Sequence, residues 1–287
     1  MCYYNGQKVT RTEYIRLKHL EKLVANFDFL SVPVHEAFEF GMNAILKPQV
    51  GKEDFDIVQM EWGIVPASLP DRQAIWNFRN NYKDTNGIFH RATYTMNAKA
   101  ENLFVNEKGN PSMFRESAMN RRCLVLSTGF YESRHIYHRN KKTGERRRTA
   151  QTYPYRVHLP GKEYFYLAGI WAPWQAKDGS EECAEMFSIV TTEANELMAK
   201  VHNVKKRMPT ILDEDLAYEW MFGKLDQKRI TEIGLSQYPS EKMEAYPIDK
   251  NYRDALDPTA PFHYPDLPGL DESDGLEEEA IIQTTLF

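Results

Sequence analysis

The hydrophobic pattern changes period along the chain. Between about residues 55 and 191, apolar and polar positions alternate or fall in short apolar blocks, as in β-strands. Phe55-Asp-Ile-Val-Gln-Met-Glu-Trp62 alternates, and Arg122-Cys-Leu-Val-Leu126 is a short apolar run. Tyr153-Pro-Tyr-Arg-Val-His-Leu159 alternates again, and residues 164–171 and 186–191 read as interior strands. Asn140-Lys-Lys-Thr-Gly144 has the composition of a hairpin tip.

Helical spacing brackets this block. Residues 12–27 are predicted as an amphipathic helix opened by Thr10 or Thr12, with Tyr14, Leu17, Leu20, Leu23, Val24 and Phe27 on one face. A second helix is predicted over 194–200 with Thr192 as its cap. A third is predicted over 214–221, capped by Asp213, ended near Gly223, with Leu216, Ala217 and Trp220 inward. Residues 243–252 return as a last strand. The expected fold is α+β: a single β-rich domain over residues 1–255, its antiparallel sheets flanked by helices. From about Asp254 the Pro, Gly and acidic content predicts a disordered tail over 256–287.

Composition adds two constraints. The formal charge of -5 is concentrated in residues 266–280, which carry seven acids and no Lys or Arg; without them the remainder stands at +2 and can present a basic groove to a polyanion. The three cysteines, Cys2, Cys123 and Cys183, have spacings that suit neither a disulfide framework nor a zinc site, so no metal or other cofactor is expected. No signal peptide or membrane span is evident, and a cytoplasmic location fits.

Chemistry begins at residue 2. Removal of Met1 would leave Cys2 with a free α-amine beside its thiol, a pair that closes on an aldehyde first as a Schiff base and then as a thiazolidine. The amine pKa of about 7.7–8 leaves a usable unprotonated fraction at neutral pH. A tolerant second position is the plain alternative. Four further segments place polar groups at the ends of apolar elements. Asn97 is a neutral amide able to hold an amine or a sugar oxygen, or merely a turn residue. Glu132 ends an apolar strand, where burial would suit it to proton transfer. His202 follows a helix, as an acid–base group or a helix-capping cation. Trp62 could stack on bases or sit in the core. Lys205, Lys206 and Arg207 could contact phosphate, as could the basic stretch 138–148.

The identity and order of these segments are more specific than any one of them. Cys2, Trp62-Gly-x-x-Pro66, Asn97-Ala-Lys-Ala-Glu101, Arg121-Arg-Cys-Leu-Val-x-x-x-Gly-Phe-Tyr-Glu132, Leu167-Ala-Gly-Ile-Trp171, Thr191-Thr-x-Ala194 and His202…Arg207-Met-Pro209 occur in sequence. Over residues 2–252 the chain resembles the SRAP family, the SOS response-associated peptidase-like or abasic-site processing proteins. The resemblance implies a barrel-like β-rich fold with a cleft for single-stranded DNA. It implies a covalent thiazolidine link from Cys2 to the aldehyde of an abasic site, with a lyase or self-reversing step. By the same resemblance Asn97 orients the N-terminus and the opened sugar, Glu132 and His202 move protons, and Lys99 is a phosphate ligand.

The chain departs from the family in four places. Tyr3-Tyr4 replaces Gly-Arg after the cysteine, which leaves Tyr4 to stack on DNA. Lys99 replaces Arg, Ser133 replaces Trp, and three more residues separate His202 from Arg207. Two rival readings stay open: an N-terminal-nucleophile peptidase or amidohydrolase, and a non-covalent single-stranded DNA sensor. A monomer is expected. The terminal Gln283-Thr-Thr-Leu286-Phe287 resembles peptides that dock on the bacterial sliding clamp, and a flexible acidic tether would raise its effective concentration there.

Overall fold

The computed structural model describes residues 2–272, so Gln283, Leu286 and Phe287 lie outside the described residues. Five strands close on one another: Met42–Pro48, Phe55–Trp62, Arg122–Ser127, Phe165–Gln175 and Cys183–Glu193. Most of their pairings are antiparallel, but the ring is shut by a parallel one, Met186 opposite Glu61 and Phe187 opposite Trp62. Ring closure removes the exposed strand edges that an open sheet would have.

Alternate residues of these strands feed two cores. Leu124 and Leu126 join Trp220, Ile230 and Ile233 of the helices Glu214–Phe222 and Gln227–Leu235. Cys123 and Val125 face the opposite way, into a cluster with Phe130, Tyr153, Met198 and Cys2. That second core is covered by a five-stranded sheet in the order Glu244–Pro247, Gln151–His158, Gly129–Ile136, Tyr4–Gly6, His35–Glu36.

The strands read from the alternating pattern are all present, as is the helix capped by Asp213, whose side chain accepts from the Leu216 amide. Three expectations are corrected. Residues 12–27 form a hairpin, Tyr14–Leu17 against Leu20–Leu23, turning through Lys18 at φ 56°. The buried residues Ile15 and Leu17 follow a period of two, and Leu17 pairs with Leu20 across the turn, which imitates helical spacing in the sequence. The helix Glu196–Val201 is capped by Asn195, not Thr192, whose hydroxyl is given to the Leu235 carbonyl.

The third concerns residues 256–272, expected as tail, which lie back along the second sheet. The Phe262 amide donates to Pro247, and the Tyr264 hydroxyl to Ile248. Leu267 and Leu270 pack on the core that holds Cys2. Arg134, almost fully buried, donates to the carbonyls of Pro268, Gly269 and Glu272. These aromatic and leucine anchors outweigh the Pro and Gly content that reads as disorder. Arg134→Met should lower stability in urea unfolding by about 3 kcal/mol, because charged-donor hydrogen bonds contribute about 1.5–3 kcal/mol. In a chain ending at residue 255 the same substitution should cost clearly less, since its acceptors are gone; equal costs would contradict the latch.

Candidate active site

The N-terminal strand is pinned before it reaches the site. Buried Gln7 donates to the Ala44 and Leu126 carbonyls, both at 2.9 Å, and accepts from the Ala44 amide at 2.7 Å. Asn5 also donates to Leu126, at 2.9 Å. Gly6 fits only as glycine: a Cβ there would stand 2.8 Å from the Pro33 carbonyl oxygen and 2.9 Å from Thr128 Oγ1. Opposite it lies Gly129, at φ 146°, where the chain leaves the barrel for the second sheet. The resulting register, Asn5 with Phe130 and Gly6 with Gly129, carries Cys2 and Tyr3 toward Glu132 and Ser133.

Cys2 is fully buried, and its thiol lies 3.7 Å from the Tyr4 carbonyl. Burial, reinforced by the Glu132 carboxylate, holds the thiol well above its ordinary pKa. Asn97 sits on the short strand Asn97–Lys99, which pairs in parallel with Ile189–Thr191. Its Nδ2 donates to the Cys2 carbonyl at 2.9 Å, while its buried Oδ1 has no hydrogen-bond partner among the described residues.

Glu132 and His202 face each other, Oε2 to Nε2, at 3.8 Å. Burial pushes the Glu132 carboxyl up to about 7, against the pull of Lys205. Burial likewise pushes His202 down to about 4. Near neutral pH the imidazole is therefore uncharged. Its Nδ1 lies 2.8 Å from the Arg207 carbonyl and 3.3 Å from the Arg207 amide; the shorter contact favours the ring proton on Nδ1, with Nε2 as the acceptor facing Glu132.

His202 reaches this position because the next residue, Asn203, acts as a substitute strand neighbour. Its Oδ1 accepts from the His135 amide at 3.0 Å and its Nδ2 donates to the His135 carbonyl at 2.7 Å. The three extra residues of the His–Arg loop are taken up here, with Lys206 at φ 48°. Sequence reasoning missed Asn203, because its role depends on a strand 68 positions away.

A cleft opens over Glu132 and His202, lined also by Tyr3, Tyr4, Tyr131, Ser133, His135, Val204 and Lys205, with Cys2 buried beneath Tyr3 and Glu132. Tyr4 gives its hydroxyl to Glu36 at 3.2 Å. Lys205 and Lys206 are exposed. The other proposed DNA ligands are placed differently. Trp62 is fully buried, stacks on Phe187 at 5.7 Å and gives its indole N–H to the Met96 carbonyl, so no face is left for a base. Arg207 is paired bidentately with Glu101 at 2.7 and 3.1 Å, and Lys99 is paired with Glu107.

The Glu132 shift has a stability consequence. A carboxyl whose pKa is raised on folding favours the protonated native state. That contribution is complete below the unfolded value of 4.5 and is lost as pH rises through about 7. Glu132→Gln removes the titration, so its melting temperature relative to wild type should be higher at pH 8 than at pH 5. A difference independent of pH would contradict the buried, raised carboxyl.

The family model of the SOS response associated peptidase (SRAP) matches residues 41–254, which include Asn97, Glu132 and His202. The abasic site processing protein YoqW of Bacillus subtilis is 28% identical over 190 residues, 66% of this chain and 68% of that protein. The mouse abasic site processing protein HMCES is 24% identical over 218 residues, 67% of this chain and 52% of that one. A crystal structure of a Bacteroides thetaiotaomicron protein superposes with a TM-score of 0.62 at 23% identity, covering 91% of this chain and 97% of that one. A phage-related protein of Bordetella bronchiseptica shares the fold at a TM-score of 0.56 and 21% identity, covering 87% of this chain and 95% of that chain. Matched by the family model over most of its length, the chain belongs to the SRAP family.

Proposed function

We propose that this protein captures abasic sites in single-stranded DNA as a covalent thiazolidine, after Met1 is removed. The observation that carries this reading is the convergence of Asn97, Glu132 and His202, from separate chain segments, around residue 2. Named relatives that process abasic sites support the substrate class.

In the proposed reaction the α-amine of Cys2 attacks C1′ of the ring-opened deoxyribose. The carbinolamine loses water to an imine, and Sγ then adds to the imine carbon while its proton passes to nitrogen. One water leaves overall. The amine acts first because burial keeps the thiol protonated. Glu132, half protonated near pH 7, gives a proton to the departing hydroxyl, and neutral His202 accepts and returns one. The same pair run backwards reverses the link. Asn97 fixes the Cys2 carbonyl and offers Oδ1 to the amine or the sugar. A thiol held protonated is poorly suited to attack an amide, so the peptidase alternative has less support.

The test is abasic single-stranded DNA followed by denaturing electrophoresis after heating. Wild type should give a heat-stable adduct. Cys2→Ala keeps an amine and should give only a heat-labile imine that borohydride traps. Glu132→Gln should slow adduct formation by about 10²–10⁴-fold. The wild-type rate should peak near neutral pH, between loss of the Glu132 proton above about 7 and protonation of the amine at lower pH. A stable adduct with Cys2→Ala, or none with wild type lacking Met1, would overturn the reading.

A further inference from the structure

We propose that a second groove, lined by Lys8, Arg11, Arg156 and Lys162, binds phosphates of the DNA strand running on from the captured sugar. This rests on the single-stranded DNA reading above. The first observation is a shortage of free cations at the site itself. Arg207 is committed to Glu101 and Lys99 to Glu107, and Lys205 is the one Lys or Arg lining the cleft among the described residues. A polyanion held there needs further positive charge.

That charge lies between three segments: residues 8–12, the turn at 159–163 and the turn at 256–259. Arg156 forms part of the wall, anchored by donating to the Thr128 carbonyl at 2.7 Å and the Tyr246 hydroxyl at 2.9 Å. Lys8 and Lys162 are exposed and make no ion pair among the described residues. Two acids also line the groove, and both are turned to local donors. Glu163 accepts the amides of Thr10 and Arg11 at 2.7 and 2.6 Å and pairs with the Arg11 guanidinium at 3.8 Å, so the lysines are the uncommitted cations of the groove. Asp257 accepts the amide and hydroxyl of Thr259 at 2.9 and 2.6 Å. Asp257 feels the charges of Lys8 and Arg156 but lies outside ion-pair distance of Lys8, and no carboxylate among the described residues pairs with Lys162.

The groove is tied to the nucleophile by the chain itself. Cys2 and Lys8 are six positions apart on the segment that Gln7 and Asn5 pin to the barrel, a span of at most about 20 Å. That separation corresponds to a few nucleotides of a strand cross-linked at Cys2.

Salt-dependent binding of two oligonucleotides tests this, one confined to the cleft and one extending well past it on both sides. For the longer strand, Lys8→Gln/Lys162→Gln should lower the slope of log affinity against log salt by about 1.4, because each phosphate neutralised on a single strand accounts for about 0.7. The short strand should bind the variant as it binds wild type. Lys52→Gln/Lys224→Gln, with the same change in net charge at exposed positions that line neither the cleft nor the groove, should leave both slopes unchanged. An unchanged slope for the longer strand, or equal reductions on both strands or in both variants, overturns the groove. If the unaltered protein binds neither oligonucleotide, the DNA reading falls and this proposal with it.

Discussion

The site depends on one strand pairing, that of Tyr4–Gly6 with Gly129–Ile136. A shift of a single residue would turn every side chain of the first strand to the opposite face. Register is therefore what decides whether Cys2 points into the core beside Glu132 or out to solvent. Three polar contacts from Gln7, one from Asn5 and the steric fit of Gly6 hold it, and all are buried against the closed barrel. Burial makes these bonds costly to break, since any group left unpaired there bears its full desolvation penalty.

Burial also sets the proton inventory. The same enclosure raises the Glu132 carboxyl and the Cys2 thiol and lowers the His202 imidazole. Each group is pushed toward its neutral form, so the site holds its proton on the carboxylate side of the pair near neutral pH. A carboxylic acid facing a neutral imidazole suits the reversible gain and loss of water at an imine. The C-terminal latch on Arg134 lies two residues from Glu132 on the same strand, and Lys200, in the helix before His202, pairs with Asp271. The outer segment thus braces the strand that carries Glu132 and the helix that leads to His202.

What could be read from the sequence was what is locally encoded. Period-two alternation identified the barrel strands, and Asp213 with Gly223 bounded a helix, because both signals lie within a few residues of their effect. Asn97, Glu132 and His202 were recognised by motif identity; alone, each also fitted a commonplace structural role. The misreadings involve partners distant in sequence. Arg207 looks like a phosphate ligand until Glu101, 106 positions earlier, is placed against it. Trp62 looks available for stacking until ring closure brings Phe187 beside it. The 14–23 hairpin was misread because Leu17 and Leu20 have the same spacing across a turn as along a helix.

In the proposed chemistry a free N-terminal aminothiol at residue 2 forms the link. The mass and alkylation state of the N-terminal peptide from the DNA adduct test it most directly. The expected species is a peptide beginning at Cys2, joined to the abasic sugar with loss of one water, whose sulfur resists iodoacetamide. A cross-linked peptide that retains Met1, or whose Cys2 is still alkylated, would contradict it.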